Sequence, residues 1–136
     1  MEYGKKMKIL VTGGAGFIGS HLCEYLLNRG DEVYVLDDMS TGSLDNLLHV
    51  QNKITLFRSR VQDFDFDLLT NVDAVVHLAA QASVPLSISN FYESSKTNIL
   101  SSLKIIDFCI KQELPLVYAS SSAIYGGLPF GDDELE

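Results

Sequence analysis

The run Thr12-Gly13-Gly14-Ala15-Gly16-Phe17-Ile18-Gly19 constrains the fold of this chain more than any other segment. It follows Lys8-Ile9-Leu10-Val11-Thr12, a short apolar run that reads as a buried strand. It precedes Phe17, Ile18, Leu22, Tyr25 and Leu26, which recur at helical spacing until Asn28-Arg29-Gly30 signals a stop. A glycine-rich turn between a strand and a helix leaves the helix's unpaired N–H groups aimed at one point, where the helix dipole favours a pyrophosphate. In such a turn Gly13 makes the tight bend, Gly16 lets backbone approach the phosphates, and Gly19 lets the helix pack closely on the sheet.

The rest of the chain repeats the strand–helix alternation. Glu32-Val33-Tyr34-Val35-Leu36-Asp37 reads as a second strand, Ile54-Thr55-Leu56-Phe57 as a third, Ala74-Val75-Val76-His77-Leu78 as a fourth and Leu116-Val117-Tyr118-Ala119 as a fifth. Met39 to Asn46 is rich in Ser, Thr, Gly and Asp and reads as a loop, with a short helix over Leu44 to Val50. A long helix is expected over Phe91 to Lys111, where Ile99, Leu103, Ile106 and Ile110 keep a period of three to four. The strands are too apolar to leave one face in water, so a parallel sheet covered by helices on both sides is expected, a doubly wound α/β fold with right-handed crossovers. No internal repeat, low-complexity segment or interdomain linker interrupts it, and residues 1–136 read as one domain.

Composition narrows the function classes. The chain is 46% hydrophobic, which argues for a packed core, and its 18 acidic against 10 basic residues give a formal charge of −8. That balance disfavours nucleic-acid or anionic-membrane partners, since phosphate contacts need clustered Lys and Arg. No apolar run approaches the ~20 residues that span a bilayer. Lys5, Lys6 and Lys8 ahead of Ile9-Leu10-Val11 imitate a signal peptide, but the apolar stretch meets the glycines too soon. Cys23 and Cys109 have no ligand-like spacing and read as free thiols of a cytoplasmic protein; no metal site is expected. His21 and His77 read as structural.

Asp37 ends the second strand eighteen positions after Gly19. An acid there accepts hydrogen bonds from the adenosine ribose hydroxyls and repels a 2′-phosphate, which favours NAD over NADP. With these residues placed, the spacing Gly13-x-x-Gly16-x-x-Gly19 resembles the extended short-chain dehydrogenase/reductase superfamily, in its nucleotide-sugar epimerase/dehydratase branch. Leu36-Asp37-Asp38-Met39-Ser40-Thr41-Gly42 resembles that branch's adenosine-ribose loop, and His77-Leu78-Ala79-Ala80-Gln81-Ala82-Ser83 its fourth-strand loop along the cofactor. Tyr118-Ala119-Ser120-Ser121-Ser122-Ala123-Ile124-Tyr125-Gly126 resembles the fifth-strand loop that carries the catalytic Ser or Thr, and Asn98 falls where the family places a helix Asn near the cofactor.

The resemblance implies a Rossmann-type domain that binds NAD through Gly13, Gly16, Phe17, Ile18, Gly19, Asp37, Asp38, Ser40, Thr41, Gly42, Arg60, Val61, Leu78, Ala79, Ala80, Gln81, Asn98 and Ala119. It implies transient oxidation of a sugar hydroxyl, a 4-keto intermediate, and return of hydride to the opposite face. Ser121, four residues before Tyr125 and flanked by Ser120 and Ser122, aligns with the catalytic Ser/Thr that hydrogen-bonds the reacting oxygen. The Ser-Thr-Gly-Ser loop implies a UDP-sugar substrate, and the family pairs its subunits as homodimers through the helix expected over Phe91 to Lys111. Dehydratases and decarboxylases of the branch usually carry a Glu two positions before the Tyr-Gly pair; here that position is Ala123, which favours a 4-epimerase. A dehydratase or decarboxylase, and a noncatalytic nucleotide-binding fragment, remain alternatives.

Two departures stand out. The family's catalytic Tyr-x-x-x-Lys and its sugar-binding domain lie beyond Glu136, so the chain reads as an incomplete cofactor-binding half, inactive alone and with an apolar patch left open. Tyr92-Glu93-Ser94-Ser95-Lys96 has the Tyr–Lys spacing but precedes the serines and reads as a decoy. Arg60 stands where relatives usually have an Asp that contacts the adenine amino group; its guanidinium reads equally as a group that stacks on the base, one that meets a 2′-phosphate, or a plain surface Arg.

Overall fold

A computed structural model describes residues 5–121 and residue 124. Its elements run β1 (Lys8–Thr12), α1 (Phe17–Arg29), β2 (Glu32–Asp37), β3 (Ile54–Arg58), β4 (Ala74–His77), α2 (Val84–Ser89), α3 (Phe91–Ser95), α4 (Ser101–Lys111) and β5 (Leu116–Tyr118). The five strands form one parallel sheet in the order β3-β2-β1-β4-β5. This is the Rossmann-type doubly wound arrangement expected from the strand–helix alternation. The order reverses at β1, so the C-terminal ends of β1, β2 and β4 splay around a crevice, the place where open parallel sheets bind ligands.

β1 occupies the centre because it can be buried on both faces. Ile9 and Val11 face one apolar cluster with Val33, Val35, Cys23, Leu26, Leu47 and Val50; Leu10 faces the other with Leu36, Val61, Phe64, Val75, Ile105 and Cys109. The first cluster lies under α1, the second under α4. Acids at the opposite end of the strands tie the sheet's lower edge: Met7 N–H donates to Asp31 at 3.0 Å and Lys8 N–H to Asp73 at 2.8 Å. α1 ends at Gly30, where the N–H groups of Gly30 and Asp31 return to the carbonyls of Leu27 and Leu26.

The expected short helix after β2 is a 3₁₀ turn over Leu44–Leu47. The expected long helix departs further from expectation. An additional helix, α2, opens at Ser83, whose hydroxyl caps it, and the chain then passes through α3 and a π-helical turn at Lys96–Leu100 before α4. A π-turn re-aims the side chains on either side of it. The apolar stripe Ile99, Leu103, Ile106 and Ile110 faces away from the sheet, and the sheet-facing positions are Ser94, Ser101, Ile105 and Cys109. The small residues among them, Ser94 and Ser101, let the chain lie close to the strand ends, and Ile105 fills the core. α1 follows the same pattern: Phe17, Ile18 and Tyr25 are exposed, while Gly19, Ser20, Cys23 and Leu26 are buried.

Cys23 and Cys109 lie in opposite apolar clusters, one on each face of the sheet. Burial pushes the Cys23 thiol up to about 12 and raises Cys109 as well, so both stay protonated and unreactive at neutral pH. Among the described residues no helix is long and apolar enough to cross a membrane, and no three His, Cys, Asp or Glu side chains gather to hold a metal ion.

The two neighbouring isoleucines of α4 give a direct test of its orientation. Ile105 is fully buried, whereas Ile106 is 40% exposed. Ile105→Ala is expected to lower unfolding free energy by about 2–5 kcal/mol and Ile106→Ala by less than about 1 kcal/mol, measured by urea denaturation.

Candidate functional site

Three hydrogen-bonded clamps shape the crevice at the strand ends. The first joins the glycine loop to the loop after β2. Asp37, buried at the end of β2, accepts the Ala15 N–H on Oδ2 at 2.9 Å and the Met39 N–H on Oδ1 at 2.8 Å. The Ala15 carbonyl in turn accepts Ser43 N–H and Asn46 Nδ2, and Gly13 N–H donates to the Leu36 carbonyl at 2.9 Å. The two loops are therefore one unit. Each Asp37 oxygen keeps a second lone pair, which is what a pair of vicinal hydroxyls would need.

The second clamp joins the glycine loop to the loop after β4. Thr12 Oγ1 accepts the N–H groups of Leu78 and Ala79, each at 3.2 Å. Gly13 sits at φ 70°, and a Cβ there would lie 2.8 Å from Ala79 N, so the bend requires glycine on both counts. The third clamp is the carboxamide of Asn98, which accepts Gln81 N–H at 2.8 Å and donates to the Gln81 carbonyl at 3.1 Å. The π-turn carries Asn98 to that position. Asn98 thus pairs with the backbone of the β4 loop like a ladder partner in a sheet.

Between these clamps lies a cleft of about 390 Å³. Gly13, Gly16, Asp37, Asp38, Ser40, Thr41, Gly42, Arg60, Val61, Leu78, Ala79, Ala80 and Gln81 line it, all of them singled out by the sequence. Phe17 and Ile18 open α1 as exposed residues outside that lining. Gly19 is buried, and a Cβ there would meet Gly14 Cα at 2.6 Å, so its close packing is against the glycine loop itself, not the sheet. Ala119 N–H donates to the His77 carbonyl at 3.1 Å, just past β5, and Ser120 and Ser121 follow as exposed residues. Ser122, Ala123 and Tyr125 lie outside the described residues.

Sequence reasoning missed the cleft's far wall. Leu86, Asn90, Glu93, Ser94, Thr97 and Ser101 line it from α2, α3 and the turn into α4, joined by Leu36, Ser59 and Gln62. The signal was present in the three-to-four spacing of Asn90, Glu93 or Ser94, Thr97 and Ser101, the polar counterpart of the apolar stripe. Tyr92 and Lys96 sit outside the lining. Arg60 lies at the cleft's edge with its Nε 3.7 Å from Asp38 Oδ2, while Asp38 Oδ1 accepts Ser40 N–H at 2.9 Å. Both side chains are partly exposed, so this pair is worth little in stability; its effect is to neutralise one of the two adjacent acids.

The residues present fit a dinucleotide. α1 begins at Gly16 with no side-chain cap and no acid in its first turn, so no side chain of the helix itself offsets its positive end; the nearby acid, Asp37, is bonded to Ala15 N–H. Leu36, Val61, Leu78 and Leu86 supply apolar wall for a planar base, and Asp37 supplies acceptors beside it. Two buried polar atoms of cleft residues, Gln62 Nε2 and Gln81 Oε1, have no hydrogen-bond partner among the described residues. A buried donor and a buried acceptor left over at one cleft are groups that a ligand or an ordered water would satisfy.

His77, behind the second clamp, is held well below its ordinary value of 6.5, at about 4, by burial alone. The neutral ring is favoured in the fold, so its contribution to stability is fully present above about pH 6.5 and is lost as pH falls toward about 4. Over that window the wild-type unfolding free energy is expected to fall more steeply than that of His77→Asn. The difference approaches about 1.4 kcal/mol per pH unit, read from urea curves at stepped pH.

Comparison with known proteins agrees with this geometry. The family described as "NAD dependent epimerase/dehydratase family" matches residues 9–136. UDP-glucuronic acid decarboxylase 1 of Arabidopsis thaliana is 37% identical over 124 residues, covering 90% of this chain and 28% of that protein. A UDP-N-acetylglucosamine 4-epimerase from Methanobrevibacter ruminantium, solved with UDP-N-acetylmuramic acid, superposes with a TM-score of 0.85 at 35% identity, covering 97% of this chain and 43% of that one. A Thermus thermophilus UDP-glucose 4-epimerase solved with NAD gives a TM-score of 0.81 at 41% identity, covering 93% and 42%. The chain spans 27% to 45% of the length of the curated relatives it matches. With the family match running over residues 9–136 and the fold superposing on solved relatives at TM-scores of 0.85 and 0.81, this chain belongs to the NAD dependent epimerase/dehydratase family.

Proposed function

We propose that this chain is the NAD-binding portion of a nucleotide-sugar 4-epimerase. The observation that carries the reading is the cleft at the strand switch point, where an uncapped helix end and a buried acid, Asp37, stand side by side. In this reading the N–H groups at the start of α1 bind the pyrophosphate, and Gly16 keeps backbone open to it; a Cβ there would touch only the Gly13 carbonyl oxygen, at 3.3 Å. Asp37, with Asp38, Ser40, Thr41 and Gly42 beside it, takes the adenosine ribose. Val61 and Arg60 flank the base, and Leu78, Ala79, Ala80, Gln81, Asn98 and Ala119 line the path toward the nicotinamide. Ser121 donates to the sugar oxygen that gains charge, with Ser120 and Ser122 around it. NAD, when bound, accepts and returns the hydride.

UDP-sugars are the substrate class supported by the relatives, whose names are those of UDP-sugar epimerases and decarboxylases. The decarboxylase identity of 37% supports a second reading, in which the whole protein acts on a UDP-uronic acid; Ala123 in place of the branch's Glu favours the epimerase. A homodimer, paired through the exposed apolar stripe of α4, and a cytoplasmic location belong to the same proposal.

Calorimetric titration of the purified chain with NAD and NADP tests the cofactor. NAD is expected to bind more tightly, and Asp37→Asn to weaken it about tenfold through loss of a charged acceptor. Tighter NADP binding would overturn the role of Asp37 and move it to Arg60.

The reaction is tested on a chain extended through the following coding sequence to a Tyr-x-x-x-Lys. Interconversion of UDP-glucose and UDP-galactose is expected; release of carbon dioxide from UDP-glucuronate would establish the decarboxylase instead. The 136-residue chain alone is expected to show no turnover of UDP-glucose or its N-acetyl analogue.

A further inference from the structure

His77 closes β4 with its ring buried between the glycine loop and α4, and its surroundings determine which ring nitrogen carries the hydrogen. Thr12 Oγ1 accepts the Ala79 N–H at 3.2 Å and shares the Leu78 N–H, also 3.2 Å away, with the Thr12 carbonyl, which takes it at 3.1 Å. The hydroxyl's own hydrogen therefore goes to its remaining neighbour, His77 Nδ1, at 2.6 Å. Nδ1 is the acceptor, so the neutral ring is protonated on Nε2. On its far side Nε2 faces Ser102 Oγ at 3.4 Å. Ser102 Oγ donates its hydrogen to the Asn98 carbonyl at 2.7 Å, leaving lone pairs for the His77 N–H and for the Tyr118 hydroxyl at 3.2 Å.

Every hydrogen bond in this series points the same way, from the Leu78 and Ala79 amides through Thr12, His77 and Ser102 to Asn98. The Asn98 side chain then grips Gln81, so the series starts and ends on the loop after β4. We propose that His77 is a positioning residue of the cleft: by accepting the Thr12 hydroxyl hydrogen it keeps the hydroxyl oxygen turned to the Ala79 amide, and so holds the β4 loop against the glycine loop beyond the last backbone bond, from Leu78 N–H to the Thr12 carbonyl.

That distance is already at contact, since a Cβ on Gly13 would lie 2.8 Å from Ala79 N. A hydrogen on Nδ1 would set two donors face to face and force Thr12 to release an amide. Burial, which holds the ring neutral down to about pH 4, removes the doubly protonated ring from the working range. The groups in contact with the ring, Thr12, Ser102 and the Tyr118 ring 5.5 Å away, bring no charge at neutral pH that would favour protonation.

The role of this residue in ligand binding rests on the cleft being the cofactor site; its effect on the two loops does not. The test combines three measurements on the 136-residue chain. In the unaltered chain, ¹⁵N–¹H correlation of the His77 ring is expected to show hydrogen on Nε2; hydrogen on Nδ1 overturns the proposal. Amide exchange at Ala79 is expected to speed up about tenfold or more in His77→Phe, while Leu78 keeps its bond to the Thr12 carbonyl and its protection. In His77→Asn, whose carboxamide oxygen replaces Nδ1 as acceptor, exchange stays near wild type; unchanged exchange in the folded Phe variant, or equal acceleration in both, overturns it.

NAD affinity is expected to follow the same order, about tenfold weaker for Phe and recovered by Asn. If His77→Phe does not fold, Thr12→Val removes the shared hydroxyl and is expected to speed Ala79 exchange alike; no change there overturns the proposal. If the unaltered chain binds no NAD, the cofactor reading falls, and the ring spectrum and amide exchange still decide the positioning role.

Discussion

The structure depends on the way the chain leaves β1. Thr12 and Gly13 are squeezed between the ends of β2 and β4, with Gly13 N–H bonded to the Leu36 carbonyl on one side and the Thr12 hydroxyl holding two amides of the β4 loop on the other. There is no room for a side chain at Gly13. Because the strand order reverses at β1, this crowded turn is also where the sheet opens, and the cleft is the space left when three loops are tied to one another above the reversal.

Electrostatics at the cleft follow from what the loops leave unpaired. The start of α1 has neither a side-chain cap nor an acid in its first turn, an arrangement that costs stability unless an anion completes it. Asp37 is placed nearby, but both of its oxygens are committed to backbone N–H groups, so it braces the glycine loop while keeping acceptors to spare. Asp38 and Arg60 balance each other at the rim. Behind the cleft, uncharged Thr12, His77 and Ser102 transmit position without adding charge. A site of this kind can be rigid and still present one strongly polar end to a ligand.

Much of this was legible in the residues. All five strands begin where the apolar runs begin, because a buried parallel strand has to be apolar along its whole length and a glycine or polar cluster must end it. The glycine loop, Asp37 and the segments after β2 and β4 were legible for a different reason: their chemistry is local, with donors and acceptors supplied within a few residues. The region from Ala82 to Leu100 was read least well. Its periodicity established a helix with one apolar stripe, but Ile99, Leu103, Ile106 and Ile110 face outward, and serines face the sheet. Periodicity reports that two faces differ, not which one is turned inward, and a π-turn shifts the faces without leaving a sequence mark.

By itself the sequence determined the element order, the parallel sheet, the glycine turn and the acid at the end of β2, since each follows from short-range sterics or from the need to bury an apolar run. Only the tertiary structure decided what crosses between elements. It set Asn98 on the backbone of Gln81, the far wall of Asn90, Ser94, Thr97 and Ser101, the Asp38–Arg60 pair, and the course of hydrogen bonds through His77. Apart from the Ser102–Asn98 bond within one helical turn, those contacts join residues from 17 to 67 positions apart, and no local propensity encodes them. They exist because packing the helices onto both faces of the sheet brings those side chains within reach of one another.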